Sequence, residues 1–310
     1  MDLLDVIVKN KKEEGEEEEE ERKKDHCWER CPPLLHNRAC FAVAWLRGEI
    51  FSIGSYISSG VGTVERIDTL SKKRTLMKQP LPLPGLKYLS AAVLNDKLYI
   101  IGGEYRNAEG RNVYSDAMYC LVDHPTDPSA ATFVEQSAKL NTPRSWQASI
   151  VFEGRIWVAG GNDSNNDLSS VEVYNAATKK WELAPSMTKE RSFFNLVVVE
   201  DELYAVGGDL TNLSIEKLSK VSGAWQVVAE IEEYRSGCGA AAVGSKIYVF
   251  GGYGGHTSTW NAFDMTTEQW ASASIPAEKR KLSSRSEFYY GKAMTVPSSL
   301  DNGRKMTWSD

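Results

Sequence analysis

The sequence lacks a long apolar run and an excess of positive charge, and it contains only four histidines. No apolar run in the chain approaches the length of about 18 residues that a membrane-spanning helix needs, so a membrane is not an expected partner. The formal net charge of -6 at pH 7 disfavours nucleic acid and anionic lipid as main partners. Because 42% of the residues are hydrophobic, we expect a packed globular body.

Cysteine and histidine are scattered. The five cysteines are an odd number without a framework spacing, which is typical of reduced thiols, so we expect an intracellular, cytoplasmic protein. His26, Cys27, Cys31, His36 and Cys40 could offer zinc ligands, but their spacing matches no common ligand pattern. A copper site would need two imidazoles and a tyrosine to converge, which the sequence does not show. Without a phosphate-binding loop or a nucleophile motif, the sequence predicts no metal, no cofactor and no catalytic residue.

A repeated unit dominates the chain. Its clearest copy runs for 47 residues from Arg144 to Arg191. In this copy and others, 16 residues separate the arginine from a glycine that ends an apolar segment. Periods between successive glycines are 44 to 58 residues, which indicates stacked repeats. The Gly-Gly pairs are Gly102-Gly103, Gly160-Gly161, Gly207-Gly208 and Gly251-Gly252.

Each unit is expected to hold four strands. The first follows the arginine, and the second carries an aromatic residue three positions before Gly-Gly. The third, as in residues 171–174, alternates apolar with polar residues, which is the period of a strand with one face in water. The fourth begins at a tryptophan. The aromatic residues of the second strands are Phe51, Tyr99, Trp157, Tyr204 and Tyr248, and the tryptophans are Trp181, Trp225 and Trp270.

The chain divides into two regions by composition. Residues 1–26 contain the run Glu16 to Glu21 and are predicted to be a charged, disordered segment, because like charges repel and little is apolar. The alternative is an acidic docking tail. Residues 27–310 carry the repeats. Ten residues separate Trp28 from Arg38, as at the end of the clearest unit, so the chain enters the repeat pattern at the end of a unit.

The features of the unit suit the blade of a propeller. A four-stranded unit cannot bury both faces alone, whereas radially arranged blades cover one another. Glycine suits the end of the second strand, because the turn there needs an unusual φ and no side chain. Gly-Gly after an apolar strand, followed by Tyr174 and Trp181 and bracketed by Arg144 and Arg191, resembles the kelch repeat. The resemblance implies an all-β, kelch-type β-propeller of four-stranded blades.

The resemblance extends from Trp28 to about Arg285, and the units look most like those of kelch-like proteins. In those proteins the propeller follows BTB and BACK domains, neither of which is visible here. Some copies depart from the pattern. The first has Gly54-Ser55, and the second has Leu86 in place of arginine and Phe133 in place of tryptophan. An insertion around residues 123–128 is expected in a surface loop.

The end of the chain leaves the number of blades open. Asp301-Asn302 stands where the register predicts Gly-Gly, and the tail after Arg285 is too short for a whole blade. The simplest arrangement has six blades, in which the tail supplies inner strands of the last blade and the Trp28 segment its outer strand. Five blades with an incomplete end, or a fragment of a longer chain, are the alternatives.

The resemblance implies that partner-binding residues lie on one rim, in the loop after Gly-Gly and in the turn at the Arg-Ser junction. Aromatic, arginine and serine side chains on rigid turns suit peptide recognition. The alternative is that some of them only pack between loops. The bracketing arginines are instead expected to bond to carbonyl groups of a neighbouring blade, because their distance from Gly-Gly is fixed. The predicted partner-binding residues are Tyr105, Arg106, Asn107, Ser145, Trp146, Asn162, Ser192, Phe193, Asp209, Ser236, Tyr253 and His256.

Three functions fit this resemblance. The first is a non-catalytic propeller that binds a protein or peptide across the rim, with a role as substrate receptor of a cullin-based ubiquitin ligase if a longer isoform or a partner supplies the BTB domain. The second is an actin-associated or cytoskeletal kelch protein. The third is an enzyme acting on a small molecule, because the kelch fold also occurs in a copper radical oxidase and a sugar epimerase.

Overall fold

The propeller is visible in a computed structural model that describes residues 34–35, 40–54, 62–79, 81–208, 212–231, 235–252 and 259–274. These residues form five four-stranded antiparallel sheets, one two-stranded hairpin and one turn of 3-10 helix, Pro128–Ala130. The first strands of successive sheets contact one another, so they form the inner layer and the sheets are propeller blades. This confirms the predicted fold class. In the described part of the chain, no helix has the length and apolar character to cross a membrane.

The five blades share one layout, with a hairpin added to the second. Blade 1 holds β1 (Ala42–Leu46), β2 (Glu49–Ile53), β3 (Val64–Asp68) and β4 (Arg74–Leu76). Blade 2 holds β5 (Ser90–Leu94), β6 (Lys97–Ile101), β9 (Met118–Val122) and β10 (Thr132–Glu135), and its hairpin pairs β7 (Glu104–Arg106) with β8 (Asn112–Tyr114). Blade 3 holds β11 (Ala148–Phe152), β12 (Arg155–Ala159), β13 (Val171–Asn175) and β14 (Lys180–Ala184). Blade 4 holds β15 (Asn195–Val199), β16 (Glu202–Val206), β17 (Ser214–Leu218) and β18 (Trp225–Glu230). Blade 5 holds β19 (Gly239–Val243), β20 (Lys246–Phe250), β21 (Thr259–Asp264) and β22 (Gln269–Ser274).

The second strands of blades 2, 3 and 4, each of which has a described blade on either side, are buried on both faces. In β12, Ile156 and Val158 pack against blade 2, whereas Trp157 and Ala159 pack against blade 4. Both sets of side chains leave water, which is the main favourable contribution to the packing of one blade on the next. The unbroken apolar sequence of these strands follows from this double burial.

The fourth strand contributes a large side chain to the interface between blades. Trp181 pairs with Tyr174 across β14 and β13 and is buried between blades 2 and 3. In blade 2, Phe133 pairs with Leu121 at the corresponding register and packs between blades 1 and 2. The prediction that phenylalanine replaces the tryptophan of this copy is therefore confirmed.

The third strand does not have the wet face that its alternation suggested, and that prediction was wrong. Glu172 on β13 and Glu216 on β17 are fully buried. Arg144 Nη2 donates to Glu172 Oε1 at 2.7 Å, and Arg191 forms the same ion pair with Glu216. Burial lowers the pKa of Arg144, and the charge of Glu172 opposes that shift. The polar positions of these strands therefore hold internal ion pairs.

Each of these arginines joins two blades at their Gly-Gly turns. The main-chain carbonyl of Arg144 accepts from Gly103 N in blade 2 at 2.8 Å, and its side-chain Nη1 donates to Gly160 O in blade 3 at 2.9 Å. Arg191 repeats both bonds with Gly161 and Gly207. The arginines are structural, as expected, but the expectation that they bond to carbonyl groups of a neighbouring blade was wrong. Their side chains donate to carbonyl groups of their own repeat, and only their main-chain carbonyls bond to the preceding blade.

In blade 2, two uncharged residues replace the ion pair that Arg144 and Glu172 form in blade 3. Leu86 occupies the arginine position, and Tyr119 occupies the position of Glu172 in the register of the third strand. Both are buried in the apolar layer between blades 1 and 2. An apolar pair can replace a buried ion pair because neither residue leaves a charge without a partner.

The predicted insertion lies in a loop between β9 and β10 and returns to blade 1. Residues 123–126 are exposed. Lys78 Nζ lies 2.6 Å from Asp127 Oδ2, and Arg66 Nη1 donates to Pro128 O at 2.7 Å. The hairpin β7–β8 adds further length to this repeat, and the sequence did not indicate it.

The segment before blade 1 makes the same hydrogen bond to the third strand of its blade as the connection between blades 3 and 4 does. Leu35 N donates to Glu65 Oε2 at 2.7 Å, just as Thr188 N donates to Glu216 Oε2 at 2.7 Å. Leu34 is buried against Ile50 and Ile67 on the face of blade 1 that points away from blade 2. The predicted sixth blade, built from the Trp28 segment and the tail after Arg285, lies outside the described residues.

These contacts predict how N-terminal truncation acts. Removing residues 1–26 should leave the melting temperature within a few degrees of that of the full chain, whereas removing residues 1–35 should lower it by about 4 °C or more. The longer deletion removes the Leu35–Glu65 hydrogen bond and uncovers Ile50 and Ile67. Thermal unfolding of both truncated chains tests this prediction. Equal melting temperatures would show that the segment before blade 1 contributes nothing to the fold.

Candidate functional site

The loops after Gly-Gly and the turns after the arginine positions meet on one rim. Ser145 and Asn162 form a backbone bridge with N–O distances of 3.0 and 2.8 Å. Lys87 and Glu104 form the corresponding bridge in blade 2. The two classes of loop that were predicted to carry partner contacts therefore lie side by side.

A series of left-handed residues runs across this rim, each two positions after the arginine position of its repeat. Cys40, Tyr88, Trp146, Phe193 and Gly237 have φ between 55° and 63°. Tyr88 N donates to Cys40 O, Trp146 N to Tyr88 O and Phe193 N to Trp146 O, at 3.0 to 3.1 Å. A non-glycine residue in this conformation is strained by about 1–2 kcal/mol. The hydrogen bonds hold the strained turns and fix where their side chains lie.

Three of these turns carry large aromatic side chains that contact one another. The rings of Trp146 and Phe193 stack with centroids 4.6 Å apart, and Tyr88 meets Trp146 edge-on at 5.2 Å. Each ring comes from a different blade, and all three are half-buried. Trp146 and Phe193 were predicted from the sequence. Tyr88 was missed, although counting two positions on from Leu86 would have found it.

The loop after Gly161 in blade 3 carries two carboxylates, of which Asp167 is bonded to the turn of Phe193. Asp167 Oδ1 accepts from Asn162 Nδ2 at 2.9 Å, and its Oδ2 accepts from Ser192 Oγ at 3.0 Å. Asp163 Oδ1 accepts from the main-chain N–H groups of Asn166 and Asn165, which lowers the pKa of Asp163. The sequence reasoning did not select Asp167.

The hairpin β7–β8 follows the Gly-Gly turn of blade 2 and is bridged through Glu104 to the Lys87 turn. Glu104 is buried, and its Oε1 lies 2.8 Å from Lys87 Nζ. Tyr105 is half-buried against the apolar layer between blades 1 and 2, and the Asn107 side chain accepts from main-chain N–H groups of its own turn. Arg106 is exposed. Of the three predicted residues on this hairpin, Arg106 is the one whose side chain extends into solvent.

The predicted serines belong to the framework of the turns. Ser145, Ser192 and Ser236 are all at least nine-tenths buried, so a partner could reach them only if the loops moved. Asp209, Tyr253 and His256 lie outside the described residues, as do four of the five residues considered for zinc. Within the described ranges, no group of three or more His, Cys, Asp or Glu side chains is placed to hold a metal ion.

Comparison with known proteins agrees with this geometry. The family model described as "Kelch motif" matches residues 143–188 and 234–275. These ranges take in all four strands of blade 3 and all four strands of blade 5. The chain is a β-propeller that carries kelch motifs and resembles kelch-like proteins. It is similar to Kelch-like protein 41a of Danio rerio, with 28% identity over 72% of this chain and 37% of the relative. It is also similar to Kelch-like protein 40 of Mus musculus, with 30% identity over 60% of this chain and 29% of the relative.

A solved structure supports the same fold. The protein in "Structure of YjhT" superposes on the kelch propeller with a TM-score of 0.64, covering 78% of this chain and 85% of that one. The two share 14% identity, so the likeness concerns the fold alone. The kelch propeller spans about a third of the length of the curated relatives, 37% of one and 29% of another.

Proposed function

We propose that this kelch propeller is a non-catalytic interaction module that binds a partner protein or peptide across the rim. The supporting observation is the aromatic cluster of Tyr88, Trp146 and Phe193, which three adjacent blades hold on hydrogen-bonded turns. Rigid, half-exposed aromatic side chains give large contact area at low entropic cost, which is typical of the residues that dominate protein interfaces.

The similarity to kelch-like proteins supports a more specific proposal. In the cytoplasm, the propeller would present a substrate to a cullin-based ubiquitin ligase. A BTB domain from a longer isoform or from a bound partner would connect it to the ligase. The regularity of the blades fits this division of roles, because a rigid support holds the variable rim loops in place.

Affinity capture from cells tests rim binding, with the full chain beside a Trp146→Gly/Phe193→Gly variant. Glycine accepts the left-handed conformation at both positions, and Gly237 already occupies the equivalent place in blade 5. We expect the variant to lose the partners that the natural chain captures, since interface aromatics each contribute about 2 kcal/mol or more.

The control for this capture is Val221→Ala, which changes a fully exposed side chain in the turn between β17 and β18 at the far end of the blade. This variant should retain the partners. Arg106→Ala, a change of an exposed side chain, provides a second rim variant whose folding is not at risk. If all four proteins capture the same partners in equal amounts, the rim is not the binding surface.

A further inference from the structure

One rim carboxylate carries a charge that the described residues do not balance. Asp167 is half-buried, and its two oxygens accept from Asn162 Nδ2 and Ser192 Oγ at 2.9 and 3.0 Å. Both donors are neutral. In the described part of the chain, no lysine or arginine lies within ion-pair distance of Asp167, and the ammonium of Lys87 is already paired with Glu104 at 2.8 Å.

The position of Asp167 relative to the aromatic cluster is fixed by two turns. Asn162, which donates to Asp167, is bridged through its backbone to Ser145, the neighbour of Trp146 in the chain. Ser192, the second donor, is the neighbour of Phe193. The carboxylate therefore lies between the two turns that carry the stacked rings.

A carboxylate beside aromatic rings has a defined chemical preference. A guanidinium or ammonium group gains from the negative faces of the rings and from the charge of the carboxylate. Arginine suits such a site best, because its planar group stacks on a ring while its N–H groups reach an acid. The ionised carboxyl of Asp163, in the same loop of blade 3, attracts the same kind of ligand.

We propose that Asp167, Trp146 and Phe193 form a recognition site for a basic side chain, arginine in particular, of the bound partner. The inference rests on the proposed function and names the chemistry of the partner segment. The partner is accordingly a protein with a basic residue in the segment that lies across blades 3 and 4.

A peptide selection separates this inference from the proposed function. A display library of random peptides is selected on the immobilised full chain and, in parallel, on Asp167→Asn and Asp201→Asn variants. Asparagine keeps the shape of Asp167, and the Ser192 hydroxyl can accept a hydrogen bond from it in place of donating. Asp201 is an exposed carboxylate in the turn between β15 and β16, at the opposite end of the blade. We expect a shared basic residue in the peptides from the natural chain and from Asp201→Asn, but not from Asp167→Asn.

A double-mutant cycle then measures the contact. The basic residue of a selected peptide is replaced by citrulline if it is arginine, or by norleucine if it is lysine. The replacement should weaken binding to the natural chain by about tenfold or more and should have little effect on binding to Asp167→Asn. Equal losses for both proteins would overturn the inference.

The remaining outcomes are also decisive. Peptides that bind the natural chain, require Trp146 and Phe193, and share no basic residue would overturn the inference and leave rim binding intact. A shared acidic residue would do the same and would point to Arg106. If the natural chain selects no peptide above background, the proposed function fails, and the inference fails with it.

Discussion

Replacing Arg144 with leucine is expected to destabilise the propeller by about 3–5 kcal/mol, because the carboxylate of Glu172 would stay buried without its cation. The leucine would also lose the hydrogen bond to Gly160 O at 2.9 Å, which ties the connection between blades 2 and 3 to blade 3. A urea unfolding curve gives the loss of stability as a lower midpoint.

The matched control removes both charges. In an Arg144→Leu/Glu172→Gln variant, the amide oxygen can still accept from Asn141 N, as Glu172 Oε2 does at 2.7 Å, while Thr142 N loses the bond of 3.2 Å that it makes to Oε1. We expect this variant to regain about 1–2 kcal/mol relative to Arg144→Leu alone. Leu86 and Tyr119 in blade 2 show that the fold accepts an uncharged pair at these positions. A double variant at least as unstable as Arg144→Leu would show that the buried charge is not the cause.

Replacing Gly161 with alanine is expected to cost about 4 kcal/mol or more, since two penalties act together. The residue has φ +91°, and a Cβ there would lie 2.5 Å from Ser145 O, which is a main-chain atom that cannot rotate away. Thermal unfolding of the purified variant measures the effect. A melting temperature equal to that of the natural chain would show that the rim turn can move to accept a side chain.

Gly154→Ala is the control for this change. Gly154 also has positive φ, +68°, but a Cβ there meets nothing within 4 Å. Only the backbone penalty of about 1–2 kcal/mol should appear. The difference between the two variants isolates the close approach of the Gly-Gly turn to the Ser145 turn, on which the shape of the rim depends.

The repeat pattern was sufficient to predict the blades that the structure describes. The spacing from arginine to Gly-Gly and on to tryptophan located the strands of each unit, and it identified Phe133 as the substitute for tryptophan in blade 2. This succeeded because a repeat presents the same local requirements several times, so that chance matches do not persist. The sixth blade and the disorder of residues 1–26 remain predictions.

The repeat pattern was less reliable in predicting which rim side chains are exposed and which of them contact one another. Local composition could not show that Ser145 and Ser192 are buried or that Tyr105 packs against the core, because burial there depends on loops from neighbouring blades. It also could not show that Tyr88 joins Trp146 and Phe193, since the three turns meet only after the blades have stacked.

The sequence alone determined the kind of fold, the length of the repeat and the places where glycine and tryptophan are required. These follow from steric and hydrophobic preferences that act within a single unit. Only the tertiary structure decided that Glu172 is an internal counter-charge and that Asp167 has no lysine or arginine partner among the described residues. The reason is that the energy of a carboxylate depends on the distance to cations contributed by other parts of the chain, and the packing of the blades fixes that distance.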